Sequence, residues 1–266
     1  MISKILIYVS AIENIDDYRK AGVSAFLFGL DGYCVGYNTY SLDTIKNVKV
    51  SNKYILLNRV IDCKDIDKLK NVLTQLDGIK GIVFEDIGVY EVVKKMNLGL
   101  ELILFQNHFA TNKDSVSFWL ERVDSVFLSN EITYEELKKI VDSVSKKVCV
   151  HLYGYNQVMY SRRLLLTNWS LEFNIPYKDK NIIEDKGTHI KFRVMENEYG
   201  TVMYSENIFN GVKYLKDLDV LYYYVNTMLI DHEKIMKFLN GLNDSLSEGE
   251  DIGFLEKETI YKLKER

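Results

Sequence analysis

What most limits the fold of this chain is an alternation running through its first two thirds, in which short β-rich runs are separated by amphipathic segments. That is the pattern of repeated strand and helix units around a parallel sheet. The strand candidates are residues 4–9, 24–28, 53–58, 81–84, 100–105, 125–128 and 147–152. Near-continuous apolar runs such as Ile82-Val83-Phe84 suit strands buried on both faces. Residues 65–76 carry Ile66, Leu69, Val72, Leu73 and Leu76 on one helical stripe, with Gly78 placed to cap its end. Thr133-Tyr134-Glu135-Glu136 reads as a capping box ahead of Leu137, Ile140, Val141 and Val144. An eighth strand at 220–225 and a helix from about 231 to 242 complete the set. The expectation is a TIM-type (β/α)8 barrel, regular or distorted, with residues 1–266 forming a single domain.

The rhythm breaks once. Residues 169–205 contain a β-rich run at 188–194, a turn at Glu196-Asn197-Glu198-Tyr199-Gly200 and a second run at 201–205, which predicts a β-hairpin inserted before the last strand. Residues 243–266 form a C-terminal tail, in which 254–261 either adds a strand or packs along the surface.

With 266 residues, 47% of them hydrophobic, the chain can bury a large core. No apolar run is long enough for a membrane span, and the start is too short and strand-like for a signal peptide, so a soluble, cytoplasmic protein is expected. Cys34, Cys63 and Cys149 lie too far apart to suggest a disulfide framework or a zinc knuckle, and four histidines leave little for a metal site. A formal charge of −4 argues against indiscriminate coating of nucleic acid. A local basic patch remains open. Residues 151–193 carry seven Lys or Arg against four acids, interleaved with Tyr153, Tyr155, Tyr160, Trp169 and Phe173.

In such barrels the reactive groups come from the carboxyl ends of the strands. Here those ends carry Asn58-Arg59, Glu85-Asp86, Gln106-Asn107-His108, Ser129-Asn130-Glu131, residues 151–156 and Asn226. Some of these side chains simply cap the following helices, Asp86 and Glu131 foremost. Glu85 and Glu131 are candidates for acid and base work if they face each other. Zinc-protease, nucleophile-elbow and phosphate-loop signatures are absent.

The most distinctive stretch is 148–168, which runs through His151, Gly154, Gln157, Tyr160-Ser161-Arg162-Arg163 and Leu164 to Asn168. It resembles the signature of the collagenase-like peptidase family, peptidase U32, in which a strand ending in glycine leads to a Tyr-Ser pair, an arginine and a Leu-rich segment ending in Asn. Glu85-Asp86-Ile87-Gly88-Val89 resembles that family's Asp-x-Gly-Val turn, and residues 106–112 resemble its Gln-to-Asn segment. Ser129-Asn130-Glu131 resembles its Ser-Arg-Glu element, while Glu198-Tyr199-Gly200 and Asn210-Gly211 fall where shorter relatives have similar residues. The likeness extends from about residue 20 to 261.

By that resemblance, relatives similar to ubiquinone-synthesis and RNA-hydroxylation factors hold a four-iron four-sulfur cluster on cysteines in and after the signature. The two signature positions here are Gln157 and Leu164, whose amide and alkyl groups cannot replace thiolates, so no cluster and no other cofactor is expected. The resemblance implies an accessory subunit in hydroxylation of the wobble uridine of tRNA, beside a longer cysteine-bearing paralogue. Gln106, Asn107, His151, Tyr160, Ser161, Arg162, Arg163 and Asn168 would then bind substrate. Two alternatives stay open. One is a peptidase using Ser161, which lacks a recognisable base, and the other is a non-catalytic barrel that binds without turnover.

Overall fold

The computed structural model describes residues 4–106, 108–144, 147–242 and 244–257. Eight parallel strands close into a barrel: β1 (Ile5–Tyr8), β2 (Ala25–Leu30), β4 (Lys53–Leu57), β5 (Gly81–Phe84), β6 (Glu101–Leu104), β7 (Ser125–Phe127), the first part of β8 (Val148–Ser161) and β12 (Tyr222–Val225). Closure is made by β12, which pairs with β1 through Ile5↔Tyr223 and with β8 through Tyr222↔Cys149. The walls are apolar on both faces because helices cover the outside while side chains fill the inside. Every residue of β1, β2, β4, β5 and β12 is buried.

The helices α1 (Ile15–Lys20), α2 (Leu42–Asn47), α3 (Ile66–Leu73), α4 (Ile87–Met96), α5 (Lys113–Leu120), α6 (Tyr134–Val144) and α9 (His232–Gly241) follow the barrel strands. Their starts are set locally. Ser41 accepts from the Thr44 N–H, Asn112 from that of Ser115, and Asp86 from that of Gly88. The capping box is present, with the Glu136 carboxylate taking the Thr133 N–H at 2.9 Å. Each such cap is worth about 1 kcal/mol of helix stability.

The seventh unit departs from the pattern. Instead of ending near residue 152, β8 continues to Ser161, because Gly154 turns it out of the wall. Its φ of +127° and a virtual Cβ only 2.4 Å from the Asn226 carbonyl oxygen admit no other residue without a shift. The outer half of β8 pairs antiparallel with β11 (Gly200–Asn210), which forms a hairpin with β10 (Lys191–Asn197), and β9 (Lys180–Glu184) completes a four-stranded extension. The predicted hairpin is thus flanked by a strand on each side. Between β8 and β9 lies α7 (Leu165–Phe173), and the short α8 (Val212–Leu215), with Val212 and Leu215 buried, leads back into β12. Two further strands are two residues long: β3 (Thr39–Tyr40), beside β2, and β13 (Glu250–Asp251), beside β11. The tail therefore contributes its strand before residue 254, and residues 258–261 lie outside the described ones.

Candidate functional site: the barrel mouth and its rim

The mouth at the carboxyl ends of the strands is roofed by the loop after β2. Tyr33, Cys34, Val35 and Tyr37 of that loop are all buried. Asn58, at the end of β4, grips it from below, its Oδ1 accepting from the Val35 N–H at 3.1 Å and its Nδ2 donating to the Val35 carbonyl at 3.0 Å. From the insertion, the Tyr204 hydroxyl donates to the Gly36 carbonyl at 2.5 Å and the Asn197 amide to that of Cys34 at 2.8 Å. Tyr8, Tyr37 and Tyr204 pack as a ring cluster beneath, with Tyr37 lying 4.7 Å from Tyr8 and 6.3 Å from Tyr204 between ring centroids. The axis of the barrel is therefore plugged by aromatic side chains.

Glu85 sits under this roof. The residue as a whole is half-buried, yet its Oε1 is sealed from solvent and has no hydrogen-bond partner among the described residues. Burial pushes its carboxyl up to about 8, partly offset by Asn58. The group is consequently protonated for the most part at neutral pH and is a donor there, which suits an acid better than a base. Gln106 donates its side-chain amide to the Glu85 carbonyl at 3.0 Å and so fixes the backbone rather than reaching outward.

His151 lies at the end of the barrel part of β8, buried against Phe209 and Tyr224. Its Nε2 is 3.0 Å from the Tyr153 carbonyl and its Nδ1 is 2.7 Å from the Asn156 side-chain oxygen, which also takes the Asn130 amide at 2.7 Å. Burial lowers its ring to about 4, so the imidazole is neutral. A neutral ring carries a single N–H, so protonated at Nε2 it donates to Tyr153 and accepts at Nδ1, which needs the Asn156 and Asn130 amides turned over together. Beside it, Gln157 and Tyr224 line a small cavity, in which the buried Gln157 Oε1 has no hydrogen-bond partner among the described residues.

The Tyr-Ser-Arg-Arg stretch lies at the rim. Tyr160 accepts from the Val60 N–H at 3.3 Å. Arg162 pairs with Asp62 and lines a polar cleft of about 620 Å³ together with Arg59, Lys64, Lys68 and Tyr199. Arg59 donates to the Gly32 carbonyl at 2.8 Å, pairs with Asp65, and places its guanidinium 3.9 Å from the Tyr199 ring centroid. Its charge holds the Asp65 carboxyl below the usual carboxylate range. Arg162 thus meets neither Glu85 nor Glu131 but a rim aspartate. Arg163 is exposed, and its main-chain N–H donates to the Ser161 hydroxyl at 3.1 Å.

The other sequence candidates scatter. Glu131 faces His108, its Oε1 3.1 Å from Nδ1, and no contact joins it to Glu85 among the described residues. Asn168 points to solvent from α7, and Asn107 lies outside the described residues. Sequence reasoning passed over Glu196, whose buried carboxylate receives the Leu166 and Thr167 N–H groups at 2.7 and 3.0 Å and the hydroxyls of Thr167 and Thr201. That carboxylate caps α7 from a neighbouring strand, a long-range partnership with no local signal.

Gln157 is buried beside Tyr224, Leu164 supplies only carbon, and Cys34 and Cys149 are buried with their thiols pushed up to about 12. No group of three or more His, Cys, Asp or Glu suited to a metal occurs among the described residues, and no helix there is long and apolar enough to cross a membrane.

No curated protein matches the sequence significantly. Among solved structures, a chitinase from Chromobacterium violaceum ATCC 12472 is 10% identical with a TM-score of 0.42, covering 90% of this chain and 99% of its own. The C-terminal domain of a protein assigned as a chitinase, from Desulfitobacterium hafniense DCB-2, is 10% identical with a TM-score of 0.41 and the same coverages. Likenesses this distant carry no substrate or reaction to this chain. The model of peptidase family U32 matches residues 42–219, from α2 through β8, the Tyr-Ser-Arg-Arg stretch and the insertion, and the chain belongs to that family.

Proposed function

We propose that this chain is an accessory or partner subunit in hydroxylation of the wobble uridine of tRNA, working in the cytoplasm beside a longer cysteine-bearing paralogue, rather than a working peptidase. The observation that carries this reading is the rim cleft, where Arg162, Lys64 and Lys68 gather beside Arg59 and the half-buried Tyr199 ring outside a plugged barrel. Guanidinium and ammonium groups suit phosphate. Binding there requires a phosphate to displace Asp62 from Arg162. Any redox step would belong to the paralogue, since Gln157 and Leu164 stand where cluster-bearing relatives are expected to carry cysteines.

Against peptidase chemistry, the Ser161 hydroxyl contacts a main-chain N–H and no base, and the Cys34 and Cys149 thiols are held protonated. A mass-spectrometric census of tRNA nucleosides from a deletion strain should lack the hydroxylated wobble uridine. An unchanged census removes the proposal, and gelatin cleavage that Ser161→Ala abolishes would put the peptidase reading in its place.

A further inference from the structure

The antiparallel extension ends at β9, which pairs with β10 on one side and with no strand on the other among the described residues. An open edge is a template for another strand, and natural proteins usually blunt it. Here it is apolar at its centre. Ile182 is 66% exposed, and α7, held over the same sheet by Glu196, exposes Trp169, Phe173 and Leu171, the last at 75%.

The backbone states which groups are free. The Asp185 N–H donates to the Ile190 carbonyl and the Asp179 carbonyl accepts the Glu196 N–H, so the odd-numbered residues of β9 turn their hydrogen-bonding groups toward β10. By alternation, Lys180, Ile182 and Glu184 present theirs to solvent. These same three side chains share one face of the strand.

We infer that β9 pairs antiparallel with β9 of a second copy of this chain about a two-fold axis through Ile182. In that register Ile182 stands opposite its own copy, and Lys180 stands opposite Glu184 of the other copy at both ends. Opposite charges directly across a ladder attract. A slip of two residues either way sets Lys180 or Glu184 against Ile182 and leaves Lys180 without a carboxylate across the ladder, while Glu184 keeps only its own-chain neighbours His189 and Lys191. The strand is therefore self-complementary in one register only, as an isologous contact requires. The ladder ends naturally at Glu184, because Asp185 turns its carboxylate back to the N–H groups of Gly187 and Thr188. A five-residue ladder alone covers less than the roughly 1,200 Å² of a stable interface. Ile183 and Ile190, exposed in and beside the strand, add apolar surface to it.

Sedimentation equilibrium on the full chain tests this. The wild type should show a concentration-dependent dimer. Lys180→Glu and Glu184→Lys each bring like charges together at both ends and should weaken the dimer at least about tenfold. Mixing the two single variants should restore association, because each then faces its opposite. Ile182→Pro removes an N–H that points away from β10, so it should leave the monomer folded by circular dichroism while abolishing the dimer. A wild type that stays monomeric at high concentration, or a dimer that all three variants leave unchanged, overturns the inference. So does failure of the mixed variants to associate when each is folded.

Discussion

The barrel wall and the antiparallel extension are built from one sheet but finished in different ways. In the wall every strand is paired on both edges, the covering helices bury the outside, and tyrosines fill the mouth. The extension is paired on one side only, and its helix and outer strand carry Trp169, Leu171, Phe173 and Ile182 in solvent. A closed barrel has satisfied its own polar backbone and needs nothing further. An open sheet with an apolar edge is a template for a further strand. The difference separates a part of the molecule made for persistence from a part made for contact, and it joins them at one hinge of geometry, Gly154.

That hinge is where the largest effect is expected. Gly154→Val puts a β-branched side chain at φ +127° and against the Asn226 carbonyl oxygen, 2.4 Å from where its Cβ must sit. Strain and clash together should cost about 3–5 kcal/mol. A denaturant titration measures it, and a loss below about 1 kcal/mol would show that the junction relaxes and that the two regions are less rigidly coupled than their shared strand implies.

The second effect belongs to the closed region. Glu85 is raised to about 8 from an ordinary 4.5, so the folded state holds its proton more tightly than the unfolded one between those values. Stability must then fall as pH rises from about 4.5 through about 8, with the full cost present above 8. Glu85→Gln should flatten that slope and stabilise the protein by about 2–4 kcal/mol at pH 8.5. His151 acts in the opposite sense: lowered to about 4, it makes the fold lose stability as pH drops from about 6.5 toward 4. A Glu85→Gln variant with an unchanged pH profile would show that water reaches the mouth and that the plug is not closed.

The closed region was also the more legible one. Strand runs such as 81–84 and the capping box at Thr133 and Glu136 are decided by neighbours in sequence, so periodicity and local hydrogen bonding suffice to find them. Glu85 stood out as a strand-end carboxyl, but its raised proton affinity comes from a roof contributed by residues 33–37 and 204, which no local pattern announces. The extension was read only as a hairpin. The continuation of β8 past residue 152 depends on β11 arriving from forty residues away, and β9 is short, polar at its ends and without alternation. Whether Glu85 and Glu131 face each other was illegible for the same reason, since separation across a barrel is set by strand tilt and loops rather than spacing.

A third, smaller effect tests whether the extension unfolds by itself. Glu196→Ala removes the acceptor for two main-chain N–H groups at the start of α7 and for two hydroxyls. The loss should be about 1–2 kcal/mol, the range for a capping group. Hydrogen exchange should quicken in α7 while the amides of β4 to β6 keep their protection. Loss of protection in those strands as well would make barrel and extension a single cooperative unit.

The smallest effect is expected at Ser161, although it stands inside the family's signature. Its hydroxyl does one local thing, accepting the Arg163 N–H at 3.1 Å, and this orients the chain as it leaves β8 for α7. Alanine there should change stability by less than about 0.5 kcal/mol, as for a partly exposed hydroxyl whose partner can turn to water. If the rim is a binding surface, Arg162→Glu should weaken tRNA binding far more than Ser161→Ala, because it reverses a charge that Asp62 only partly satisfies. Filter binding at two salt concentrations separates the two: an Arg162 effect that grows as salt falls is the signature of phosphate contact. Equal, salt-independent losses from both variants would mean that the signature stretch serves the fold of the extension and not a ligand.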